Sequence, residues 1–239
     1  MSLSGSPRKL FLIPSTLGDS TIEQVIPQYN IEVILSLTHF VVEEERTARR
    51  FLVRCGYKNI LDQARFFILN EHTRYTEIPP IFIDSGNADL GLISEAGVPG
   101  VADPGALLVS EAYKQNFTVI PLAGPSSLLL ALMASGLNGQ QFAFNGYLPV
   151  KPHERDSKIR FYEKRSEAEK QTQLFIEAPY RNNQLSESLL QNLKPETRLC
   201  IAVNLTLPDE WISTRTIREW RKQPPPDLKR QPAVFIFQA

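Results

Sequence analysis

Leu92-Ile93-Ser94-Glu95-Ala96-Gly97-Val98-Pro99-Gly100-Val101-Ala102-Asp103-Pro104-Gly105 is the stretch on which the fold turns. An apolar run, Asp89 to Ile93, stops where Gly97, Pro99, Gly100 and Pro104 make regular structure impossible, and a periodic segment, Ala106 to Gln115, follows. That order reads as buried strand, irregular loop, helix. The same grammar continues on both sides. Downstream, Thr118 to Leu122 is a second apolar run, closed by Gly124-Pro125 and followed by the apolar segment Ser127 to Ser135. Upstream, Lys9 to Ile13 is closed by Pro14, Gly18 and Asp19, then followed by an amphipathic stretch, Thr21 to Tyr29, and a further element at Val33 to Leu37. Glu43 to Arg54 carries Ala48, Phe51 and Leu52 among many charges, which predicts a surface helix with one buried stripe. Strands alternating with helices imply parallel βαβ units with right-handed crossovers. Gln173 to Glu177, Leu199 to Val203 and Val234 to Phe237 are strand-like, with Asn182 to Leu193 helical between the first two, so a second α/β sheet is expected. The boundary is placed at Leu122 to Gly124, giving domains 10–122 and 123–239.

Composition narrows the function classes. The chain has 239 residues, 42% hydrophobic and 22% charged, enough to bury a sizeable core. Its 26 Lys and Arg balance 26 Asp and Glu, so a polyanion must be met by a local patch rather than by a global field. The apolar run Leu128 to Ala134 is far shorter than the ~20 residues of a membrane span, which argues against an integral membrane protein. Met1 to Pro7 has no cationic start leading into an apolar stretch and reads as a flexible lead rather than a secretory signal. Cys55 and Cys200 stand far apart without CxxC or Cys/His spacing, which points to no metal site, no disulfide framework and a reducing, cytoplasmic setting.

Open parallel sheets bind ligands beyond the carboxyl ends of their strands. The loops at Ser94–Asp103 and Pro121–Ser127 should therefore converge on one mouth. Gly97 and Gly100 allow close approach to the main chain, and Glu95 can accept hydrogen bonds from a ribose diol or offset a cation. A plainer reading is that Asp103 caps a helix, Pro104 opens it and the glycines only turn the chain. The loop Ile13 to Asp19 lacks both the G-x-G-x-x-G spacing and a Walker lysine, which disfavours ordinary dinucleotide or nucleoside triphosphate binding.

Taken in order, Ser94-Glu95-Ala96-Gly97-Val98-Pro99, Asp103-Pro104-Gly105, Pro121-Leu122-Ala123-Gly124-Pro125 and Gly146-Tyr147-Leu148-Pro149 resemble the tetrapyrrole methylase superfamily of S-adenosylmethionine-dependent methyltransferases. Within it the chain is most similar to the branch that 2′-O-methylates ribose in small-subunit ribosomal RNA. The resemblance spans nearly the whole chain, from Leu10 to Ile236. It implies two α/β domains with S-adenosylmethionine in the cleft between them, a homodimer, and ribosomal RNA or the small ribosomal subunit as substrate. Carried over by position, cofactor contacts fall at Leu17, Glu95, Val98, Ser126 and Ser127, with Ala178, Val203, Asn204 and Pro232 added by the second domain. Where the ribose-methylating branch has Glu-Asp-Thr-Arg, the sequence is read as Glu44-Glu45-Arg46-Thr47, and where it has Arg-Glu-Leu-Thr-Lys the sequence has Val203-Asn204-Leu205-Thr206-Leu207. Glu177-Ala178-Pro179-Tyr180-Arg181 is similar to its Glu-Ser-x-His-Arg segment, with Arg181 in the matching place. The departures keep open a tetrapyrrole or protein acceptor, or a protein that binds cofactor or RNA without turnover.

Methyl transfer to an alcohol needs donor and acceptor held in line and a base for the hydroxyl proton. Glu44, Glu45 and His72 are the candidate bases, although Glu44 and Glu45 also read as a solvated helix face. Arg46, Arg50 and Arg54 recur every four residues and share one helical face, a candidate phosphate-binding stripe. A second basic stretch, Lys151 to Arg165 with Phe161 and Tyr162, is interleaved with Glu154, Asp156 and Glu163 and reads rather as a mixed-charge solvated helix.

Overall fold

The computed structural model describes residues 7–239, so most of the lead segment read above, residues 1–6, lies outside the described residues. The chain divides into two compact units, one ending at Ser126 and one running from Ser127 to Ala239. The division falls four residues beyond Leu122 because the intervening loop is tied to the first unit. Leu122 N–H donates to Leu12 O at 3.0 Å, Asn30 Nδ2 donates to Ala123 O at 2.7 Å, and Gly124 lies against the Pro14 ring.

The first unit is a wholly parallel sheet of β1 (Lys9–Ile13), β2 (His39–Val42), β3 (Arg65–Ile68), β4 (Leu90–Ile93) and β5 (Thr118–Pro121), in the order β3-β2-β4-β1-β5. The chain leaves β1 for β2 and leaves β4 for β5, in opposite directions, so the crevice between β1 and β4 is the topological switch point. Register makes the strand ends level: Ile13 pairs with Ile93, and Val42 pairs with Ile93 from the other side. Alternate side chains feed two apolar layers. Phe11, Ile13, Phe40 and Val42 meet the helices Gln28–Ser36 and Glu45–Arg54, the latter through Ala48, Phe51 and Leu52 as its stripe predicts. Leu10, Val41, Leu90 and Leu92 meet the helices Ile78–Asp84 and Gly105–Lys114 on the other face.

Val33 to Leu37 is not a separate element. It forms the latter half of the helix Gln28–Ser36 and its C-cap, because Val33, Ile34 and Leu37 are buried together and packing overrides the β-branched composition. The sequence reading passed over β2 and β3, which have only four residues each.

The second unit carries β6 (Phe142–Phe144), β7 (Thr172–Ile176), β8 (Arg198–Val203), β9 (Trp211–Thr216) and β10 (Ala233–Gln238) in the order β6-β7-β10-β8-β9. Only β6 and β7 pair in parallel; β10 inserts antiparallel between β7 and β8, and β9 is antiparallel to β8. The parallel expectation therefore applies to the first sheet alone. Phe175, Ile201, Phe235 and Phe237 form its core with Ile159, Leu185 and Leu189, and the buried Trp220 donates from Nε1 to Leu199 O at 2.9 Å. Several basic residues along the helix Pro152–Glu169 are already engaged: Arg155 is buried on Ser188 Oγ, Arg165 pairs with Glu169, and Lys151, its N-cap, with Glu154. Among the described residues no helix is long and apolar enough to cross a membrane.

Candidate functional site

Three loops meet where β1, β4 and β5 end. Gly97 O accepts from Ser94 Oγ at 2.6 Å and from Ser15 N at 2.9 Å, which staples the loop after β4 to the loop after β1. A Cβ on Gly97, whose φ is +78°, would lie 3.1 Å from Leu17 Cδ2 and 3.2 Å from Pro125 O, so a side chain here would push the three loops apart. Asp103 does more than cap a helix. Its Oδ1 accepts from Gly100 N at 2.7 Å and Gly105 N at 2.8 Å, bracing both ends of the turn, while burial pushes the carboxyl above its ordinary range against those two bonds.

Beside this seam lies a cavity of about 260 Å³. Its walls are Ser15 to Asp19 after β1 and Ile93 to Ala96 after β4, and it is closed by Thr47, Ala48, Arg50, Phe51 and Arg54 on the helix Glu45–Arg54. Of the residues singled out in the sequence, Leu17, Glu95, Arg50 and Arg54 line it; Val98, Ser126 and Arg46 do not. The arginines of that helix differ in their partners. Arg49 pairs with Glu45 at 2.7 Å and lies 4.6 Å over the Phe66 ring, Arg54 donates to Thr16 Oγ1 and Ser20 O, and the charge of Arg46 favours the ionised Glu44. The Arg50 guanidinium has no hydrogen bond or ion pair among the described residues.

The candidate bases separate on the same geometry. Glu44 is the N-cap of the helix: its carboxylate accepts from Arg46 N at 2.8 Å, Thr47 N at 2.6 Å and Thr47 Oγ1 at 2.7 Å, and these bonds, the Thr47 hydroxyl foremost, hold it below the usual carboxylate range. A carboxylate so stabilised is a poor proton acceptor. Glu45 is committed to Arg49, and His72, its side chain 84% exposed, stands beside Glu71 at 3.6 Å. None of the three lines the cavity.

Glu95 does line it, and the structure adds Glu43, which the sequence reading passed over. Glu43 follows the last residue of β2 as Ser94-Glu95 follows the last residue of β4, and the register of the two strands brings both carboxyls to the same edge. Burial, then the charge of Asp103, raises the Glu43 pKa, partly offset by the Glu95 amide. Burial, then the charge of Glu44, raises that of Glu95, partly offset by the Glu44 amide and Thr47. The signal available in the sequence was position alone: Glu43 is the first carboxylate after a strand end, in an acidic run of three.

In the second unit, Ala178, Val203, Asn204 and Pro232 gather at one end of the sheet. Ile176 of β7 pairs with Val234, Val203 pairs with Ala233, and Asn204 N donates to Pro232 O at 3.0 Å. Asn204 adopts φ +50° and is held through Nδ2 by Asp209 at 2.7 Å. Arg181 is anchored on the buried Glu177, whose Oε1 takes Nε at 3.0 Å, Nη2 at 2.5 Å and the Ala178 amide at 2.7 Å. Ser127 opens the helix Ser127–Ser135.

No family model matches the chain. Among solved structures, the methyltransferase CobJ superposes with a TM-score of 0.62 at 15% identity, covering 97% of this chain and 94% of that one. Uroporphyrin-III C-methyltransferase from Thermus thermophilus, complexed with S-adenosyl homocysteine, gives 0.58 at 14% identity, covering 96% and 97%. At those identities the likeness shows the fold, two α/β units of the tetrapyrrole methylase type. Sequence relatives carry it further. The protein of Vibrio cholerae named ribosomal RNA small subunit methyltransferase I is 29% identical over 88% of this chain and 69% of its own length, and the protein of that name from Haemophilus influenzae is 28% identical over 95% and 77%. With a third of that name, from Mesorhizobium japonicum, 32% identical over 87% of this chain and 67% of its own, the chain belongs to the ribosomal RNA small subunit methyltransferase I family.

Proposed function

We propose that the chain transfers the methyl group of S-adenosylmethionine to a ribose 2′-hydroxyl of small-subunit ribosomal RNA. The observation that carries this reading is the 32% identity over 87% of the chain to a ribosomal RNA small subunit methyltransferase I. The residues at the strand ends suit the cofactor. Gly97 and Gly100 lie in left-handed backbone, and a Cβ on Gly100 would meet nothing nearer than 4.0 Å, so the loop leaves space for a ligand beside Gly100. Leu17, Glu95, Val98 and Ser126 in the first unit, with Ser127, Ala178, Val203, Asn204 and Pro232 in the second, are the residues that would hold it. S-adenosylmethionine supplies a methyl carbon already activated on a sulfonium.

The protein's share is placement and proton removal. The bound cofactor would supply the methyl carbon and keep the electron pair of its methyl–sulfur bond; the chain's own residues would hold the ribose oxygen in line with that bond and take the hydroxyl proton on a carboxylate. Glu95 serves that role better than Glu44, Glu45 or His72, since it faces the cavity and its proton affinity is raised by burial. Arg46, Arg50 and Arg181 are the proposed RNA contacts. A homodimer in the cytoplasm completes the reading; two buried free cysteines, Cys55 and Cys200, are in keeping with a reducing compartment.

Thermal unfolding with S-adenosylhomocysteine, together with transfer of labelled methyl to small ribosomal subunits assembled on transcribed RNA, tests this. At roughly 100 times the dissociation constant the ligand adds about 2.7 kcal/mol, which for a chain of this size raises Tm by about 5–10 °C. Label should be recovered as 2′-O-methylated nucleoside. No shift and no labelled nucleoside would overturn the proposal.

A further inference from the structure

The cavity beneath the helix Glu45–Arg54 has features that cofactor binding does not account for. At about 260 Å³ it has room for a compact polar group such as a ribose phosphate. It is lined by residues of opposite charge, Glu95 from the loop after β4 and Arg50 from the helix. Arg50 has no partner among the described residues, whereas Arg54 on the same face is spent on Thr16 and Ser20. Ser15 lines the cavity too. It is only 4% exposed, and its Oγ is buried with no protein hydrogen-bond partner, so a hydroxyl entering the cavity beside it would satisfy it. Of the four unit-one residues proposed for the cofactor, Leu17 and Glu95 line the cavity while Val98 and Ser126 do not, and Gly97 is packed between Leu17 and Pro125.

Resting on the function proposed above, we infer that this cavity is the acceptor pocket and takes one ribonucleotide turned out of the RNA strand, with its phosphate on Arg50 and its ribose hydroxyls between Ser15 and Glu95. An arginine meets a phosphate with two parallel N–H bonds, and a carboxylate accepts from a ribose hydroxyl, so the two residues read the two ends of a ribose phosphate. Unstacking a base is unfavourable, and the enclosed charge contacts offset it. Glu95 then stands where the pocket adjoins the cofactor loops, in reach of the hydroxyl that loses its proton.

Three measurements on the full-length protein and its variants Arg50→Gln, Ser15→Ala and Glu95→Gln test this: methyl transfer to small subunits assembled on transcribed RNA, affinity for that RNA at several salt concentrations, and the Tm rise given by S-adenosylhomocysteine. Arg50→Gln should weaken RNA binding and lower the slope of log affinity against log salt by about one. Glu95→Gln should bind RNA as before and lose roughly 10²–10⁴-fold in kcat, with the acidic limb of its pH profile gone. Ser15→Ala should raise KM for RNA. Arg50→Gln and Ser15→Ala, neither of them at a residue proposed to hold the cofactor, should keep the cofactor-induced Tm rise. If they lose that rise while RNA affinity and its salt slope stay unchanged, the cavity belongs to the cofactor and the inference is overturned. If all three keep wild-type RNA affinity and transfer, it is overturned as well. Absence of transfer by the unaltered protein would instead bring down the ribosomal reading, and this inference with it.

Discussion

Glu44 and Glu43 are neighbours with opposite electrostatics, and each makes a prediction about pH. The Glu44 carboxylate is stabilised by the helix N-terminus and Thr47, so its folded pKa lies below the unfolded one. Its contribution is present above the ordinary carboxylate range and is lost as pH falls through the lowered value. Glu44→Gln should therefore unfold at lower temperature than wild type at pH 7, and the difference should vanish in acid; a deficit that persists at pH 2 would contradict the capping role. Glu43 has the reverse sign, since burial and Asp103 raise its folded pKa. Between the ordinary and the raised value the folded state binds more protons than the unfolded, so wild-type stability falls as pH rises through that window. Glu43→Gln should be equal to wild type near pH 4 and more stable at pH 8, by paired thermal scans. The acidic run was legible in the sequence as a site candidate, but not which carboxylate caps a helix and which lies half-buried against Glu95. Burial and neighbouring charge decide that, and both belong to the folded state.

At the scale of the element, the loop after β5 illustrates how little room the strand ends leave. A Cβ on Gly124 would lie 2.3 Å from Pro14 Cβ and 2.6 Å from Pro14 Cγ. A proline ring cannot rotate away, so Gly124→Ala must displace one loop from the other. Overpacking of this kind typically costs about 1–3 kcal/mol. The expected outcome is a lower Tm together with a weaker response to S-adenosylhomocysteine; an unchanged ligand response would mean that the loop does not serve the cofactor. The strands β1, β4, β5, β7, β8 and β10 and the helix Glu45–Arg54 could be read from apolar runs and periodicity. The strands β2 and β3 could not, although they are no shorter than β4 and β5, because they lack the Gly/Pro loops that close those two and differ from loop or helix only through the neighbours they pair with.

For the whole molecule, two units with separate cores make local opening separable. Cys55 is buried in the first and its thiol is pushed up to about 12, chiefly by burial; Cys200 is buried in the second and its thiol is likewise raised by burial. Neither should react with a thiol reagent in the native state, and each should be labelled only when its own unit opens. Labelling of Cys200→Ser then reports the first unit and Cys55→Ser the second. If S-adenosylhomocysteine slows both, residues of both units serve the ligand, as the proposal requires; slowing of one alone would confine the site to that unit.

The sequence by itself determined the α/β class, the order of strand, loop and helix, and the family, because these rest on local periodicity and on an ordered set of loop motifs. The tertiary structure alone decided the strand order that places the switch point between β1 and β4, the antiparallel insertion of β10, the cavity, and the separation of Arg50 from Arg46, Arg49 and Arg54. All of these depend on residues far apart in the chain. A one-dimensional pattern says which face of an element is buried, but not which element it is buried against, and it is the partner that sets a side chain's charge state and leaves it bound or free.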